Sequence, residues 1–360
     1  MYKPFIPLEI NSSLRDLTIT KDVLYWYPWI AELSNKNIWL SLCQNWKSNG
    51  EYPTLPPPGY EYYIVSGDSL MYGLADKIAD TTKGIAIQLS GPLIDSSFKN
   101  SSRVKYLPYT TYHQQLNGMP ISSDPIKKNI QYKASALTSR VTQSKVIIFS
   151  ALTSLLKEQD FVVSLHHKYD DSLLRNVHHW EMSGNDICDR HTKNFIDNWL
   201  DKKITLNNDD QNELSYNNPA YQNSALNFTQ ESYHYSYMTN EGKSYIEPGP
   251  FLTEKTWKCL LSKTAFIPVG QVHSYNWLKQ MGMKFDYGNL DLSFDEDPGN
   301  ITRLEKIVHL IDDLNRWSAN ELYHMTEQSC EHNYDHIMNK SFWNNCEKFN
   351  QPTIELLTNL

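Results

Sequence analysis

The chain has 360 residues and a formal net charge of −8. That is long enough for two domains with separate cores, and acidic enough to argue against broad affinity for nucleic-acid phosphates while leaving room for a local basic groove. Its five cysteines, Cys43, Cys188, Cys259, Cys330 and Cys346, are odd in number and widely spaced, which fits a reducing compartment better than a disulfide framework. No stretch approaches the roughly 18 consecutive apolar residues of a membrane helix, and no Gly-x-Gly-x-x-Gly or Walker sequence supports a dinucleotide fold or a P-loop.

In chain order, Tyr62-Tyr63-Ile64-Val65 has strand character and ends in the turn Ser66-Gly67-Asp68-Ser69. Residues 70–78 then have helical spacing, with Leu70, Leu74, Ala75 and Ile78 on one face. Residues 84–89 form a second strand, closed by Ser90-Gly91-Pro92. Strands alternating with helices predict a parallel α/β sheet, whose ligands bind at the carboxyl ends of strands. Asp68 and Asp95 both fall near that edge.

Residues 104–125 read as loop, broken by Pro108, Pro120 and Pro125. A strand at 132–137, a helix at 143–156 with Val146, Ile147, Phe149, Leu152 and Leu155 inward, and a strand at 161–165 then open a second α/β domain. Residues 168–199 mix helix and loop. The Asn-, Asp- and Gln-rich stretch 207–223 reads as an exposed insertion. A short strand at 227–230, a long loop at 233–250, a helix at 253–263, a strand at 265–269 and a helix at 274–281 follow. Ile301, Leu304, Val308 and Ile311 mark one more helix, and the chain after Asn320 is helical through a final segment at 342–357.

The helix start at Thr253 has the clearest chemistry. Thr253 is a good N-cap, and Glu254 suits the positive end of the helix dipole. Lys255 does not suit it unless an anion lies between the ammonium and the backbone N–H groups, as a phosphate would. The alternative is that Lys255 pairs with Glu254 or points to solvent.

Phe228-Thr229-Gln230-Glu231-Ser232, Phe251-Leu252-Thr253-Glu254-Lys255-Thr256-Trp257-Lys258 and Phe266-Ile267-Pro268-Val269-Gly270 together resemble the donor-binding motif of α1,3-fucosyltransferases and their virus and phage relatives. That family carries a Phe-Glu-Asn-Ser strand, a Tyr-Val-Thr-Glu-Lys helix start and a Val-Pro-Val-Val-x-Gly strand. Here Glu231 directly precedes Ser232, the Asn is missing, and the gap to Phe251 is longer. The resemblance implies that Glu254 holds the nucleotide ribose and Lys255 the diphosphate, with Glu231, Ser232 and Thr253 in the same donor site. A second landmark, Ser135 through Leu152, is similar to the family's strand, turn and Arg-bearing helix, and adds Arg140 and Lys145 as diphosphate contacts. Solvated surface charge is their alternative reading.

The fold implied is α/β, with two Rossmann-like domains facing each other across a cleft (GT-B). An acceptor-side domain would span 1–128, and a nucleotide-sugar domain 129–335 with a polar insertion around 205–225. The segment 336–360 would be a C-terminal helix crossing back to the first domain. The activity implied is transfer of a sugar from a nucleotide diphosphate sugar to an acceptor hydroxyl, inverting and without a metal, and with no cofactor beyond the donor. Such transfer needs a carboxylate base, Asp68 first and Asp95 second; a plain helix N-cap is the other reading of Asp68.

Three readings of the acceptor stay open. It is a glycan, or a hydroxymethylated base in phage DNA, for which Lys127, Lys128, Lys202 and Lys203 could supply a basic strip, or the protein is an inactive nucleotide-sugar or carbohydrate binder. Golgi fucosyltransferases are membrane-anchored, so a chain without a membrane span points to the cytoplasm of a bacterium or a virus-infected cell. His178-His179, with Cys188 and His191 downstream, lacks the spacing of a zinc site, because adjacent histidines point apart. Leu290 to Asp297 ahead of Arg303 is similar to a stretch of the phage relatives, and equally reads as an acidic turn capping a helix.

Overall fold

The computed structural model describes residues 11–13, 27–33, 37–41, 56–66, 74–90, 101–110, 116, 126, 128–138, 142–165, 184–200, 219–231, 237–240, 243–246, 250 and 252–360. Their strands are β1 (Asn11–Ser13), β2 (Ile38–Ser41), β3 (Tyr62–Ser66), β4 (Ile85–Ser90), β5 (Val104–Pro108), β6 (Tyr132–Thr138), β7 (Phe161–Leu165), β8 (Ser224–Gln230), β9 (Tyr237–Asn240), β10 (Lys243–Ile246) and β11 (Ala265–Val269). Their helices are α1 (Leu74–Thr81), α2 (Gln143–Leu155), α3 (Asp186–Asn198), α4 (Pro219–Gln222), α5 (Glu254–Leu261), α6 (Ser274–Gln280), α7 (Asn300–Asp313), α8 (Ala319–Met338) and α9 (Ser341–Thr358). None of these helices is long and apolar enough to cross a membrane.

The architecture is α/β with two largely parallel sheets in two compact units. The first unit holds residues 1–118, 236–251 and 343–360, and the second holds 119–235 and 252–342. In the first, β1 to β5 lie in chain order, with β1 antiparallel to β2 and every later pair parallel. Both faces are covered, and the two-residue period of the strands sorts their side chains. Ile38, Leu40, Ile64, Ile87 and Leu89 point into one core with Trp29, Ile30 and Leu33, while Trp39, Tyr63, Val65 and Ala86 point into another with Ala75, Ile78 and Tyr106.

Two local devices hold α1 between its strands. Gly84 opens β4 where a β-carbon would meet Tyr60 O and the Tyr63 ring at 2.5 Å, so a side chain has no room there. The Arg103 guanidinium donates to Ala79 O and Thr82 O, satisfying carbonyls at the end of α1 with a cation on the favourable side of the dipole. Helix α9 closes the first unit. Leu357 is fully buried in the core of Trp29 and Ile64, with Ile354 and Leu360 packed against it. Asn350 Nδ2 donates to Thr110 O at 2.7 Å while its Oδ1 accepts from Thr110 N at 2.9 Å, and Thr353 Oγ1 donates to Pro108 O at 2.7 Å.

In the second unit the order is β11-β8-β6-β7, all parallel. Helix α2 is buried from Ser144 through Leu152 without a polar stripe, because α3 and α7 both pack against it. Beside β11 an aromatic cluster of Phe266, Tyr275, Phe285 and Tyr287 is tied in by its hydroxyls. Tyr275 donates to Phe266 O, and Tyr287 accepts from Phe266 N at 3.4 Å. At the amino edge of this sheet, half-buried Lys128 donates to Tyr221 O at 2.8 Å, Thr264 Oγ1 at 2.7 Å and Ser262 O at 3.4 Å, and burial lowers its ammonium to about 8.

Several expectations are corrected. Residues 104–108 form strand β5, whose Pro108 ends the pairing, so the prolines mark the end of a strand and not a loop throughout. The 233–250 loop contains the antiparallel pair β9–β10. Residues 219–223 of the polar insertion include α4, with Ala220 and Tyr221 buried, and β8 begins three residues earlier than expected; 207–218 lie outside the described residues. Lys128, read as part of a basic strip, donates to three oxygens at the amino edge of the second sheet; Lys127, Lys202 and Lys203 lie outside the described residues.

Truncating Asn350 to Ala removes both of its hydrogen bonds to the buried Thr110 backbone, so we expect a loss of about 1–3 kcal/mol of stability by denaturant unfolding. A midpoint equal to wild type would show that α9 is not held by this pair.

Candidate functional site

The two central strands of the second sheet send their chains in opposite directions. After β6 the chain passes through α2 to the outer strand β7, whereas after β8 it passes through α5 to β11 on the other side. The carboxyl ends of β6 and β8 therefore flank a topological switch point, where helices leave to either side and a crevice opens in sheets of this kind. Thr138 ends β6, Gln230 ends β8, and the Thr138 hydroxyl donates to Gln230 Oε1 between them.

Glu231 follows Gln230 and is buried, its backbone N–H still bonded to Val269 O of β11 at 3.2 Å. Its side chain receives the start of α5. Thr253 N donates to Oε1 at 3.2 Å, Thr256 Oγ1 donates to Oε1 at 2.6 Å, and Thr253 Oγ1 donates to Oε2. Burial raises the Glu231 carboxyl above the usual range, and the Lys255 ammonium and the two threonine hydroxyls pull it partly back.

The Thr253 hydroxyl is a hub. It gives its hydrogen to Glu231 and accepts from Lys255 N at 3.4 Å, as an N-cap, and from Lys255 Nζ at 3.1 Å. Lys255 Nζ also lies 3.0 Å from Glu254 Oε1, so the lysine–glutamate pairing is the arrangement present, with the Glu254 side chain 35 % exposed. Burial works against the Glu254 charge, but the charge and hydrogen bond of Lys255, a backbone N–H and the Lys258 ammonium together hold that carboxyl below its ordinary range. The line Glu231–Thr253–Lys255–Glu254 thus alternates charge and fixes where the ammonium sits.

Helix α2 starts at the other side of the switch point. Thr142 is its N-cap residue but makes no cap hydrogen bond; its hydroxyl lies 3.2 Å from Ser144 Oγ. Lys145 sits in the first turn and is buried. A buried cation at the positive end of a helix dipole is electrostatically costly, and an anion at that end offsets the cost.

The structure therefore brings Glu231, Thr253, Glu254 and Lys255 into one constellation, and sets Lys145 at a second helix start on the same sheet edge. Asp68, Asp95, Arg140 and Ser232 lie outside the described residues, as do His178 and His179. Among the described residues no group of three or more His, Cys, Asp or Glu is placed to hold a metal. Cys188 and His191 are buried on α3. Burial lifts the thiol to about 12 and lowers the imidazole, whose Nδ1 lies 3.3 Å from Ser150 Oγ, to about 4. The four described cysteines are all buried thiols.

The acidic turn ahead of Arg303 is structural. Asp297 Oδ1 accepts from Gly299 N at 2.9 Å and Thr302 Oγ1 at 2.7 Å, which ties the turn to the first turn of α7, and buried Arg303 ties Gly270 O at 3.1 Å to Asp297 O at 2.8 Å. Asp295, in the same acidic turn, is buried and caps a different helix, α6, through Tyr275 N at 2.9 Å and Asn276 N at 3.3 Å. Sequence reading missed the anchoring role of Glu231 and Thr256. The signal available was a pair of threonines three apart at a helix start, which places two hydroxyls on one face.

No protein-family model matches the chain, and no curated protein matches it at a significant level.

Burial raises the Asp295 carboxyl to about 6, against three backbone hydrogen bonds that pull it down. Its folded value is above the unfolded value of about 3.9, so its contribution to stability is greatest below pH 4 and is lost as pH rises through 6, by about 3 kcal/mol. We expect Asp295→Asn, which keeps an acceptor for the cap, to be at least as stable as wild type at pH 7 and to lack that loss. Parallel pH profiles for the two proteins in thermal unfolding would refute it.

Proposed function

We propose that the chain is a glycosyltransferase that takes its sugar from a nucleotide diphosphate sugar, and that the second unit binds this donor at the switch point of its sheet. The observation that carries the reading is the Glu231–Thr253–Lys255–Glu254 constellation at a helix start on that edge, with Lys145 at the start of α2. The resemblance of this segment to the fucosyltransferase donor motif supports the choice of ligand. The finer architecture we propose is GT-B.

The Glu254 side of the Glu254–Lys255 pair is partly exposed, so a ligand can reach it and exchange the pair for its own hydroxyls and phosphates. Glu254 then accepts from the ribose hydroxyls and Lys255 turns to the diphosphate, with Lys145, Arg140 and the helix ends stabilising the charge that grows on the leaving group. Ser232 completes the donor set. The acceptor oxygen attacks the anomeric carbon and the bond from that carbon to the phosphate oxygen breaks. The bonding pair leaves with the diphosphate, and the acceptor proton passes to a carboxylate, Asp68 before Asp95. Inversion follows from a single displacement of this kind. A glycan hydroxyl is the favoured acceptor, because Lys128 is committed inside its own sheet and gives no support to a DNA-binding strip.

Lys255→Ala should weaken binding of the preferred nucleoside diphosphate by about 1–3 kcal/mol, the scale of a charge-assisted hydrogen bond. Thermal shift across a panel of nucleotides and nucleotide sugars identifies the ligand, and calorimetry then measures the loss. Equal affinity in the variant for every nucleotide that binds would remove Lys255 from the site. Donor binding without turnover on any acceptor would favour an inactive binder instead.

With side-chain cations and helix ends on the leaving-group side, we expect transfer to survive EDTA. Activity abolished by EDTA and restored by manganese would show that a divalent cation stabilises the diphosphate.

A further inference from the structure

Gln230 is 1 % exposed and sits where β6 and β8 diverge. Thr138 pins its Oε1, which fixes the plane and direction of the carboxamide. Its Nε2 has two hydrogens to give, is buried, and has no partner among the described residues. A buried amide donor left unpaired is costly, and folds keep such groups where a ligand completes them. Five residues beyond Thr138 the α2 helix begins, with no side-chain cap and with Lys145 in its first turn. Glu231, the neighbour of Gln230, already places a carboxylate at the start of α5. Of the two helix starts that flank the switch point, α5 is thus met by a carboxylate from its own sheet, and α2 carries a cation in its first turn.

We propose that Gln230 is a ligand-binding residue of the switch-point crevice, its Nε2 donating to an oxygen of a diphosphate bound at the start of α2. This rests on the donor-site reading above and extends it to a residue that the motif does not assign. With Oε1 accepting from Thr138, the carboxamide presents the two hydrogens of Nε2 and so selects an acceptor oxygen.

The test is calorimetric titration of wild type, Gln230→Met, Gln230→Glu and Lys255→Ala with five common nucleoside diphosphates and with inorganic pyrophosphate. The expected result is that Gln230→Met weakens both pyrophosphate and the preferred nucleoside diphosphate about tenfold, the loss of one hydrogen bond to a charged group, and that Gln230→Glu weakens them more by adding a like charge. Because Glu has nearly the shape of Gln, its behaviour separates recognition from packing. Without ligand, Gln230→Met should melt within a few degrees of wild type. If Lys255→Ala weakens binding while both Gln230 variants match wild type, the inference is overturned and the donor site stands. A loss confined to the nucleoside diphosphate, with pyrophosphate unchanged, also overturns it, because Gln230 would then face the nucleoside. If wild type binds no diphosphate at all, both the inference and the donor-site reading are overturned.

Discussion

Glu231 is buried at the end of a central strand, where a carboxylate persists only if the surrounding chain supplies donors, and α5 supplies three of them. Those three bonds come from two residues a single turn apart at the start of α5. The same interaction that satisfies the carboxylate therefore sets the position and angle of the helix. Everything proposed for the ligand site follows from that constraint, because Glu254 and Lys255 lie between the two anchoring threonines and have little freedom to be elsewhere. The Thr253 hydroxyl, with one hydrogen given and two bonds accepted, transmits the constraint to the ammonium itself.

The two edges of the second sheet differ in how their polar groups are spent. At the amino edge Lys128 binds three oxygens of its own sheet neighbourhood. At the carboxyl edge a buried amide donor has no partner among the described residues, and a helix begins without a side-chain cap. Folding alone accounts for the first edge. The second carries a cost that a bound anion would offset, which is the usual direction of inference from strain to function.

Much of the fold was legible because helix α2, strand β7 and strand β11 are rich in apolar residues and bounded by polar or turn residues. Strand β5 was hidden because proline after proline suggested a loop, although only Pro108 falls within the pairing. The β9–β10 pair was hidden because its stretch lacks the apolar alternation that marks a half-buried strand. In the site, Lys255 stood out as a cation where local physics disfavours one. Glu231 did not, because its partners lie 22 to 25 residues away and contact across that distance leaves no periodic trace. Gln230 was visible only as the end of a strand; what sets it apart is a missing partner, and a sequence does not show partners.

The first unit is assembled from both ends of the chain. Its core is sealed by Leu357 and its edge by Asn350, some 240 residues after the Thr110 that Asn350 grips. During synthesis the amino-terminal strands emerge long before that helix exists, so they remain incomplete while the entire second unit is made. Contacts of such long sequence separation form late and slowly. The N-terminal sheet therefore spends its vulnerable interval on the ribosome, and loss of residues 343–360 would damage strands made some 240 residues earlier.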